Sequence, residues 1–567
     1  MTAESPRRLP GKRSFAPTGL VRPTGWLIAF ACAWFVLLTL AARLTSYPLV
    51  LWDEAVYLLP TLFGYSPENF TQWHILPHFP IPVFYGLYSL VVGTAPYLAA
   101  KTLNSALIAA TALPTFLVAR RFLPPARAAV FAGCVTAVPF CAYVRLFMPE
   151  SLYVFGFWWT VWVLLAILPR STTAAAIAAG IALGVLSLVK PHALALALGS
   201  GLFLALRKGP LPERTIAVIG TGVAFLLTRV GVGYALSGTI ELSLTGPTYA
   251  ENLVGGRPEL TTIASYAAGH VASVVLLVGM PLAVVVVALL RGARSSASRG
   301  NALDDLLLLA PCLLVALLGM TVYFSCSIHL LNPVSEPDTR LHGRYYVFVL
   351  PLVMLAYVAL LQSERLVSAR ALFDTVGLVA WGGVTLGASV LVAVRYPGGH
   401  IDYPDLAVLR LGRTGPLAVV VALGVVLAIG FWRRNTGERG RTWRHLVPLA
   451  WWAGVAVVTT AAILAAPLVG KMAPTPVDRA MESDLMRALR GRDDGLVIGS
   501  AATAVDTYRV MFHLASRSGG RLVDPGVPVD RQALAGRVRW LILLPGVSYA
   551  GLGTRTLVEP LTHVALP

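Results

Sequence analysis

Long apolar runs separated by short polar segments dominate the chain between residues 26 and 466. About 20 mainly apolar residues are the length that an α-helix needs to cross a bilayer. This pattern predicts an all-α polytopic membrane protein with about thirteen transmembrane helices, preceded by a polar tail at 1–25. The expected spans are 26–45, 98–119, 127–144, 151–168, 173–189, 192–206, 215–236, 266–290, 304–327, 344–362, 374–394, 415–432 and 446–466.

The segment Pro80–Tyr97 is also apolar, but its pattern does not match a full span. It opens with Pro80 and Pro82 and contains two glycines, which interrupt a helix. Counting it as a span would reverse the topology of everything that follows. We therefore expect an interfacial or re-entrant helix that closes a first extracytoplasmic loop at 46–97.

The composition changes from about Pro474, where charged residues become more frequent and the apolar runs become short. The runs Gly495–Ser500 and Val538–Leu544 are flanked by Gly and Pro, which is typical of buried strands. Between them, Asp506–Ser516 has helical spacing. The pattern predicts a small α/β extracytoplasmic domain within 467–567.

Composition supports the membrane assignment, since 56% of the residues are hydrophobic and only 13% are charged. The formal net charge of +18 does not indicate a nucleic-acid partner, because the basic residues lie mostly in short loops between apolar runs. That placement is what the positive-inside rule and anionic lipid headgroups produce. All five cysteines lie in or beside apolar runs, so no disulfide framework is expected.

The basic residues also predict the orientation of the chain. The N-terminal tail and the loops on its side hold about twice the Lys and Arg of the opposite side, which makes that face cytoplasmic. The first apolar run then acts as an uncleaved signal anchor in the plasma (inner) membrane. The loop 46–97 and the C-terminal region lie outside the cytoplasm.

Two adjacent carboxylates, Asp53 and Glu54, follow the first span beside Trp52 and Tyr57. Charged groups at a membrane edge carry a desolvation cost, so such a pair indicates a functional site. Neighbouring residues on a helix point about 100° apart, so the two acids cannot share one target symmetrically. One acid faces a reaction centre while the other binds a substrate group or a neighbouring helix; alternatively, the pair caps a juxtamembrane helix.

Further short motifs follow in a fixed order and share the extracytoplasmic face. With Trp52-Asp53-Glu54 they are His78-Phe-Pro80-Ile-Pro82-Val-Phe-Tyr85, the span Lys101–Arg121, Phe147-Met-Pro149-Glu150, Lys190-Pro-His192 and His342-Gly-Arg344-Tyr345-Tyr346. Their order resembles the GT-C superfamily of membrane glycosyltransferases, in particular the phospholipid-carrier-dependent group of protein O-mannosyltransferases and aminoarabinose transferases. The resemblance implies a helical membrane fold, a lipid-linked sugar phosphate donor and transfer outside the cytoplasm.

Sugar transfer from polyprenyl phosphate needs a base for the acceptor hydroxyl, cations for the departing phosphate and a path for the lipid tail. The resemblance assigns the base to Asp53, which matches the first acidic residue of the family motif. Three roles stay open for Glu54: it orients the acceptor, hydrogen-bonds another loop, or helps to hold a cation.

The donor phosphate would be held by Arg344, with Arg340, His342 and Lys190 in support, since Arg forks bind phosphate oxygens bidentately. Arg344 alternatively snorkels at a span end, and Lys190 alternatively reaches water where Pro191 breaks the helix. The residues expected to bind substrate are His78, Glu150, His192 and Tyr345. Glu150 is alternatively an ordinary first-turn acid after a proline.

A divalent metal is possible but no cofactor is required by the pattern. His74 and His78 could hold the ion with Asp53 or Glu68, although Pro77 disrupts the helix that would align the two histidines. Inside the bundle, Arg229 is expected to pair or to face a cavity. The tryptophans at 158, 159 and 162 are expected to form a belt at a span edge or to contact lipid.

Two classes of function fit these features. The first is an inverting glycosyltransferase that acts on a glycan, lipid or protein acceptor in the cell envelope. The second is a transporter or flippase of lipid-linked saccharides, which would place ionisable residues near the midplane of several spans. Here only Arg229 is clearly deep, which favours the enzyme. An inactive relative that serves as an assembly partner stays open.

Overall fold

The structure is a computed structural model. Its described residues are 21–44, 81–91, 96–238, 258–294, 301–331, 337–363, 375–396, 475–489, 494–500, 504–514, 519–523, 538–545, 554–558 and 561–565, with isolated positions that include Leu49, Glu54 and Asp402. The expected spans 415–432 and 446–466 lie outside these ranges.

The apolar region is mainly helical in its described part. Its helices are α1 (Val21–Arg43), α2 (Pro82–Ser89), α3 (Pro96–Ala110), α4 (Ala112–Ala119), α5 (Pro125–Thr136), α6 (Glu150–Ile167), α7 (Thr172–Ser187), α8 (Ala193–Leu206), α9 (Leu211–Ser237), α10 (Leu260–Arg294), α11 (Ala302–Leu331), α12 (Leu350–Leu361) and α13 (Thr375–Arg395). Short 3-10 turns lie at Pro139–Arg145, Gly343–Tyr345 and Val347–Val349.

The expected spans from 26–45 to 374–394 all coincide with helices. At 127–144 and 344–362 the helix is joined to a 3-10 segment. Within the described residues, six helices are long and apolar enough to cross a membrane, and four further apolar helices are shorter. A mostly helical protein with several candidate spans is confirmed, and the count of thirteen stays a prediction.

Helices α7 and α9 pack closely because glycines line their contact. A Cβ atom added to Gly180 would lie 2.5 Å from the backbone oxygen of Thr221, and Gly184 meets α9 in the same way. Small residues at this spacing let two helix backbones approach in a membrane. Arg229 donates to the Ser187 carbonyl across the same interface at 2.8 Å. The deep arginine is therefore paired inside the bundle, as expected.

Trp158 does not contact lipid, and the expectation that it does is wrong. Its side chain is fully buried, whereas Trp159 and Trp162 are half-buried. Trp158 lies two turns from Glu150 along α6 and lines a mostly apolar cavity with Phe140 and other core residues. An apolar helix gives no sequence signal for which of its faces turns inward.

The C-terminal region contains a five-stranded sheet with the order β2-β1-β3-β5-β4. Strand β1 pairs in parallel with β2 and β3, and β5 pairs antiparallel with β3 and β4. The bounds are β1 (Gly495–Ser500), β2 (Gly519–Val523), β3 (Trp540–Leu543), β4 (Thr554–Val558) and β5 (Leu561–Ala565), with helices α14 (Pro476–Ala480), α15 (Asp484–Leu489) and α16 (Ala504–Leu514).

A buried carboxylate joins the start of this region to α16. Asp478 closes a capping box with Thr475 on α14. It also accepts from Arg509 and bonds His513 on α16, each at 2.8 Å. Burial opposes ionisation of Asp478, but the bonds from His513, Thr475 and Arg509 outweigh it and lower its pKa from 3.8 to about 2.

Candidate functional site

A buried ion pair joins two of the predicted site motifs. Lys190 lies in the turn between α7 and α8, where Pro191 interrupts the helix, and Glu150 is the first residue of α6 after Pro149. The Lys190 Nζ and Glu150 Oε1 atoms are 2.6 Å apart, and both side chains are almost fully buried. Burying a charge carries a large desolvation penalty, which the attraction of an opposite charge offsets. The pairing of Lys190 with Glu150 therefore explains how both charges can be buried. The first-turn position of Glu150 does not by itself account for this partner.

The ring of Tyr345 is the centre of the surrounding cluster. His192 stacks on it with 4.1 Å between centroids and 19° between planes, and His342 lies parallel at 5.9 Å. The Lys190 ammonium is 4.9 Å from the ring centroid. Arg344 lies over the ring at 5.2 Å and donates to the Tyr345 hydroxyl at 3.2 Å. Cations over aromatic faces are attracted by the ring quadrupole, which fixes both of them beside Tyr345.

Asp402 supplies the counter-charge for the two arginines of the cluster. Its carboxylate is 2.6 Å from Arg340 and 3.8 Å from Arg344, and its backbone oxygen accepts from the Arg344 N–H at 2.8 Å. Burial opposes ionisation of this carboxyl, but Arg344, His342 and Arg340 outweigh it and hold the pKa of Asp402 below its ordinary value. Sequence reasoning missed Asp402, because a single acid in a loop carries no mark of its partners.

Glu54 is fully buried and hydrogen-bonds two backbone segments. Its Oε1 accepts from the Leu49 N–H at 2.7 Å, and its Oε2 accepts from the Phe147 N–H at 2.9 Å. Lys101, which donates to the Ala42 carbonyl at 3.0 Å, attracts the Glu54 carboxylate electrostatically. Three roles were open for Glu54, and these contacts match one of them, a hydrogen bond to another loop.

The segment that Glu54 binds leads directly into Glu150. Besides the Phe147 bond, side chains of α3 hold its backbone: Tyr97 donates to the Arg145 carbonyl at 3.3 Å, and Asn104 donates to the Leu146 carbonyl at 2.7 Å. An extended segment has no helical partners for its backbone groups, so side chains satisfy them instead.

Helix α2 anchors the other end of the first loop. It has eight residues, about 12 Å, which is too short to cross a bilayer. The N–H groups of Val83 and Phe84 approach the Leu188 carbonyl at 3.2 and 3.5 Å. Leu188 lies two residues before Lys190. Glu54 is therefore joined to the segment before Glu150, and Val83 and Phe84 are joined to the segment before Lys190.

Most of the predicted site residues come together in this cluster: Arg344, Arg340, Lys190, His342, Glu150, His192 and Tyr345. Two others, Asp53 and His78, lie outside the described residues. So do His74 and Glu68 of the possible metal site. Among the residues that the structure describes, no three His, Cys, Asp or Glu side chains are grouped to hold a metal ion.

Comparison with known proteins gives the fold. No family model and no curated protein matches the chain. The crystal structure of ArnT from Cupriavidus metallidurans bound to undecaprenyl phosphate is similar over 96% of this chain and 98% of that chain, with 18% identity and a TM-score of 0.51. Arabinosyltransferase EmbB from Mycobacterium smegmatis is similar over 81% of this chain and 43% of its own, with 16% identity and a TM-score of 0.43.

At this level of identity, the likeness to ArnT shows a shared fold. It extends over nearly the full length of both chains, which agrees with the motif order between Trp52 and Tyr346. The chain is therefore a multi-pass membrane protein that shares its fold with ArnT.

Proposed function

We propose that this protein is an inverting membrane glycosyltransferase that moves a sugar from a polyprenyl-phosphate donor to an extracytoplasmic acceptor. One observation carries the proposal: both ends of the loop that contains Asp53 are anchored beside the buried Lys190–Glu150 pair. Glu54 binds Phe147, three residues before Glu150, and Val83 approaches Leu188, two residues before Lys190. This anchoring supports placing an acid and a cation cluster around one reaction centre.

The donor phosphate binds at Arg344, with Arg340, Lys190 and His342 around it. Three cations here face the two carboxylates of Glu150 and Asp402, so one positive charge is in excess when the histidines are neutral. A singly charged phosphodiester balances this excess. Arg344 already points its guanidinium at the Tyr345 hydroxyl rather than at a close carboxylate, which suits an exchange of partners on binding.

The reaction is a single displacement. The Asp53 carboxylate takes the proton of the acceptor hydroxyl while the hydroxyl oxygen attacks the anomeric carbon of the sugar. The bond from that carbon to the phosphate oxygen breaks, and its electron pair leaves with polyprenyl phosphate. The cations stabilise the charge that develops on the leaving phosphate. Attack opposite the departing oxygen inverts the anomeric centre.

The remaining predicted residues have supporting roles in this proposal. Glu54 holds Asp53 in place through its two backbone bonds, and His78, Glu150, His192 and Tyr345 line the substrate site. The acceptor is a glycan, a lipid or a protein. The active site faces away from the cytoplasm of the inner membrane, the chain has about thirteen spans, and the C-terminal α/β region forms its own domain.

Sugar transfer by the purified protein in lipid tests the proposal. The assay uses a panel of polyprenyl-monophosphate sugars and compares the wild type with Asp53→Asn. This variant keeps the shape of the side chain and removes the base, so turnover should fall roughly 10²–10⁴-fold. Glu259→Gln, at an exposed acid, is the matched control.

Equal turnover of wild type and Asp53→Asn would keep the enzyme class and reject Asp53 as the base. Movement of labelled lipid across the bilayer without transfer to any acceptor would support a transporter or flippase instead. Arg229, which the sequence places deep in a span, donates to the Ser187 backbone carbonyl, and this bond supports a packing role for it.

A further inference from the structure

Four buried polar atoms close to Lys190 have no hydrogen-bond partner among the described residues. They are Glu150 Oε2, the Tyr153 hydroxyl and both ring nitrogens of His192. All three side chains are more than nine-tenths buried. The other carboxylate oxygen of Glu150, Oε1, is bonded to Lys190.

The side chains that carry these atoms lie near the Lys190 ammonium. Lys190 Nζ is 2.6 Å from Glu150 Oε1 and 5.8 Å from the centroid of Tyr153, which lies one turn after Glu150 on α6. On the other side, Nζ is 4.9 Å from the Tyr345 centroid, and the His192 ring stacks on Tyr345. The unpartnered atoms therefore come from two chain segments that meet at Lys190.

Unpaired buried polar groups are costly, and a cluster of them indicates that something polar fills the place. The hydrogen-bonding properties of the four atoms indicate which ligand group they could bind. Glu150 Oε2 accepts, the Tyr153 hydroxyl donates or accepts, and a neutral imidazole offers one donor and one acceptor. An imidazole buried beside cations stays neutral. A phosphate only accepts at neutral pH and is served by Arg344 and Arg340, whereas a hydroxyl group both donates and accepts.

We infer that Glu150 Oε2, Tyr153 and His192 form a subsite for the hydroxyl groups of the donor sugar, with Tyr153 as a specificity-determining residue. The inference rests on the proposed function. It separates two zones around Tyr345: the arginines hold the phosphate, and the mixed donors and acceptors beside Lys190 hold the sugar. A site of this kind discriminates strongly against a sugar that lacks one hydroxyl, because the protein groups then stay unpaired.

The test compares transfer from an accepted donor with transfer from its monodeoxy analogues. The wild type should prefer the complete sugar by roughly 10–100-fold at one or more hydroxyl positions, the value of one or two hydrogen bonds. In Tyr153→Phe, or in His192→Phe, which keeps an aromatic ring on Tyr345, the preference at one position should fall to about twofold or less. Tyr357→Phe, at another buried tyrosine on α12, should keep the full preference.

Stability separates a sugar subsite from a structural role. Because the Tyr153 hydroxyl has no hydrogen-bond partner among the described residues, Tyr153→Phe should unfold at the same temperature as the wild type or higher. Loss of stability together with unchanged preference at every deoxy position would show that a structural water satisfies the hydroxyl, and would overturn the inference. If the wild type transfers no sugar from any donor, the proposed function fails, and the subsite falls with it.

Discussion

Glu54 and Phe147 stand 93 positions apart in the chain, and the Glu54 carboxylate accepts a hydrogen bond from the Phe147 backbone N–H at 2.9 Å. The other carboxylate oxygen binds Leu49 at the start of the same loop. One side chain thus joins Leu49 to the segment before Glu150. In the proposed function, this contact gives Glu54 the role of positioning its neighbour Asp53.

Replacing Glu54 by Gln tests this positioning role. A Gln side chain offers one acceptor oxygen, so its NH₂ group would face one of the two backbone N–H donors. We expect unfolding to become easier by about 1–3 kcal/mol, the cost of leaving a buried donor unpaired. Transfer should fall roughly 10²-fold, because a small displacement of a reacting group is enough for such a loss. Thermal unfolding and the transfer assay measure both effects.

Glu259→Gln is the control, since it removes an exposed acid without buried partners. A Glu54→Gln variant that matches wild type in both stability and transfer would show that Glu54 positions nothing.

Replacing Lys190, alone and together with Glu150, should have different effects on the stability of the protein and on sugar transfer. Lys190→Met leaves Glu150 buried without its partner, which costs about 3–5 kcal/mol of unfolding free energy. In Lys190→Met/Glu150→Gln the uncompensated charge is gone, so most of that stability should return. Transfer should stay low in both variants, because the cation beside the donor phosphate is missing. A double variant as unstable as the single one would contradict the ion-pair interpretation.

Asp402→Asn should make stability depend on lipid. The substitution removes the carboxylate between Arg340 and Arg344 and leaves the two guanidinium groups to repel each other. A phosphate restores the missing negative charge. We expect a lower melting temperature than wild type without ligand, and a larger upward shift when undecaprenyl phosphate is added. Asp338→Asn, in an exposed ion pair with Arg395, is the control. Equal lipid-induced shifts in Asp402→Asn and wild type would argue against a phosphate at these arginines.

The contact between α7 and α9 should not tolerate a larger residue. In Gly180→Val, the new side chain would meet the backbone of Thr221, which cannot move aside as a flexible side chain can. We expect a loss of roughly 1–3 kcal/mol in stability, as for other overpacked cores. Gly222→Val on α9 is the matched control, because nothing lies within 4 Å of a Cβ atom added there. Unfolding midpoints in detergent compare the two.

Asp478 should make the C-terminal region sensitive to acid. Its pKa is about 2 in the folded chain against an ordinary 3.8, so the stability that it contributes is complete above about pH 4 and is lost as the pH falls toward 2. The protection factors of amide hydrogens in Ala504–Leu514 should therefore drop between pH 4 and pH 2. In Asp478→Asn they should be low already at pH 5 and change little. A pH dependence that persists in this variant would assign the effect to another group.

The helices were predictable because long apolar runs are a strong signal in a membrane protein. The expected strand at Gly495–Ser500 coincides with β1 for a related reason, since a short apolar run between glycines is typical of a buried strand. What could not be predicted was the direction of side chains. Trp158 is in the core. This could not be predicted, because α6 is apolar on all sides and its sequence does not reveal which face turns inward.

The site was partly predictable for the same physical reasons. Short motifs at the ends of the spans identified the residues of the cluster, including Lys190 and Arg344, because charged residues and proline stand out against the apolar runs beside them. They could not identify the pairings, which depend on how distant segments meet. The partner of Arg340 is 62 positions away at Asp402, and no local pattern marks that acid. The Tyr153 hydroxyl, which is unpartnered within the described part of the chain, likewise becomes apparent only from the packing around it.

The contacts of the cluster run from Leu49 to Asp402, and this has a consequence for biosynthesis. A chain emerging from the ribosome exposes Arg340 and Arg344 before the residue that neutralises them has been made. We expect these two ion pairs to form only after α13 has been inserted and Asp402 has followed it, so a product truncated after Ser363 would carry both arginines without their counter-charge.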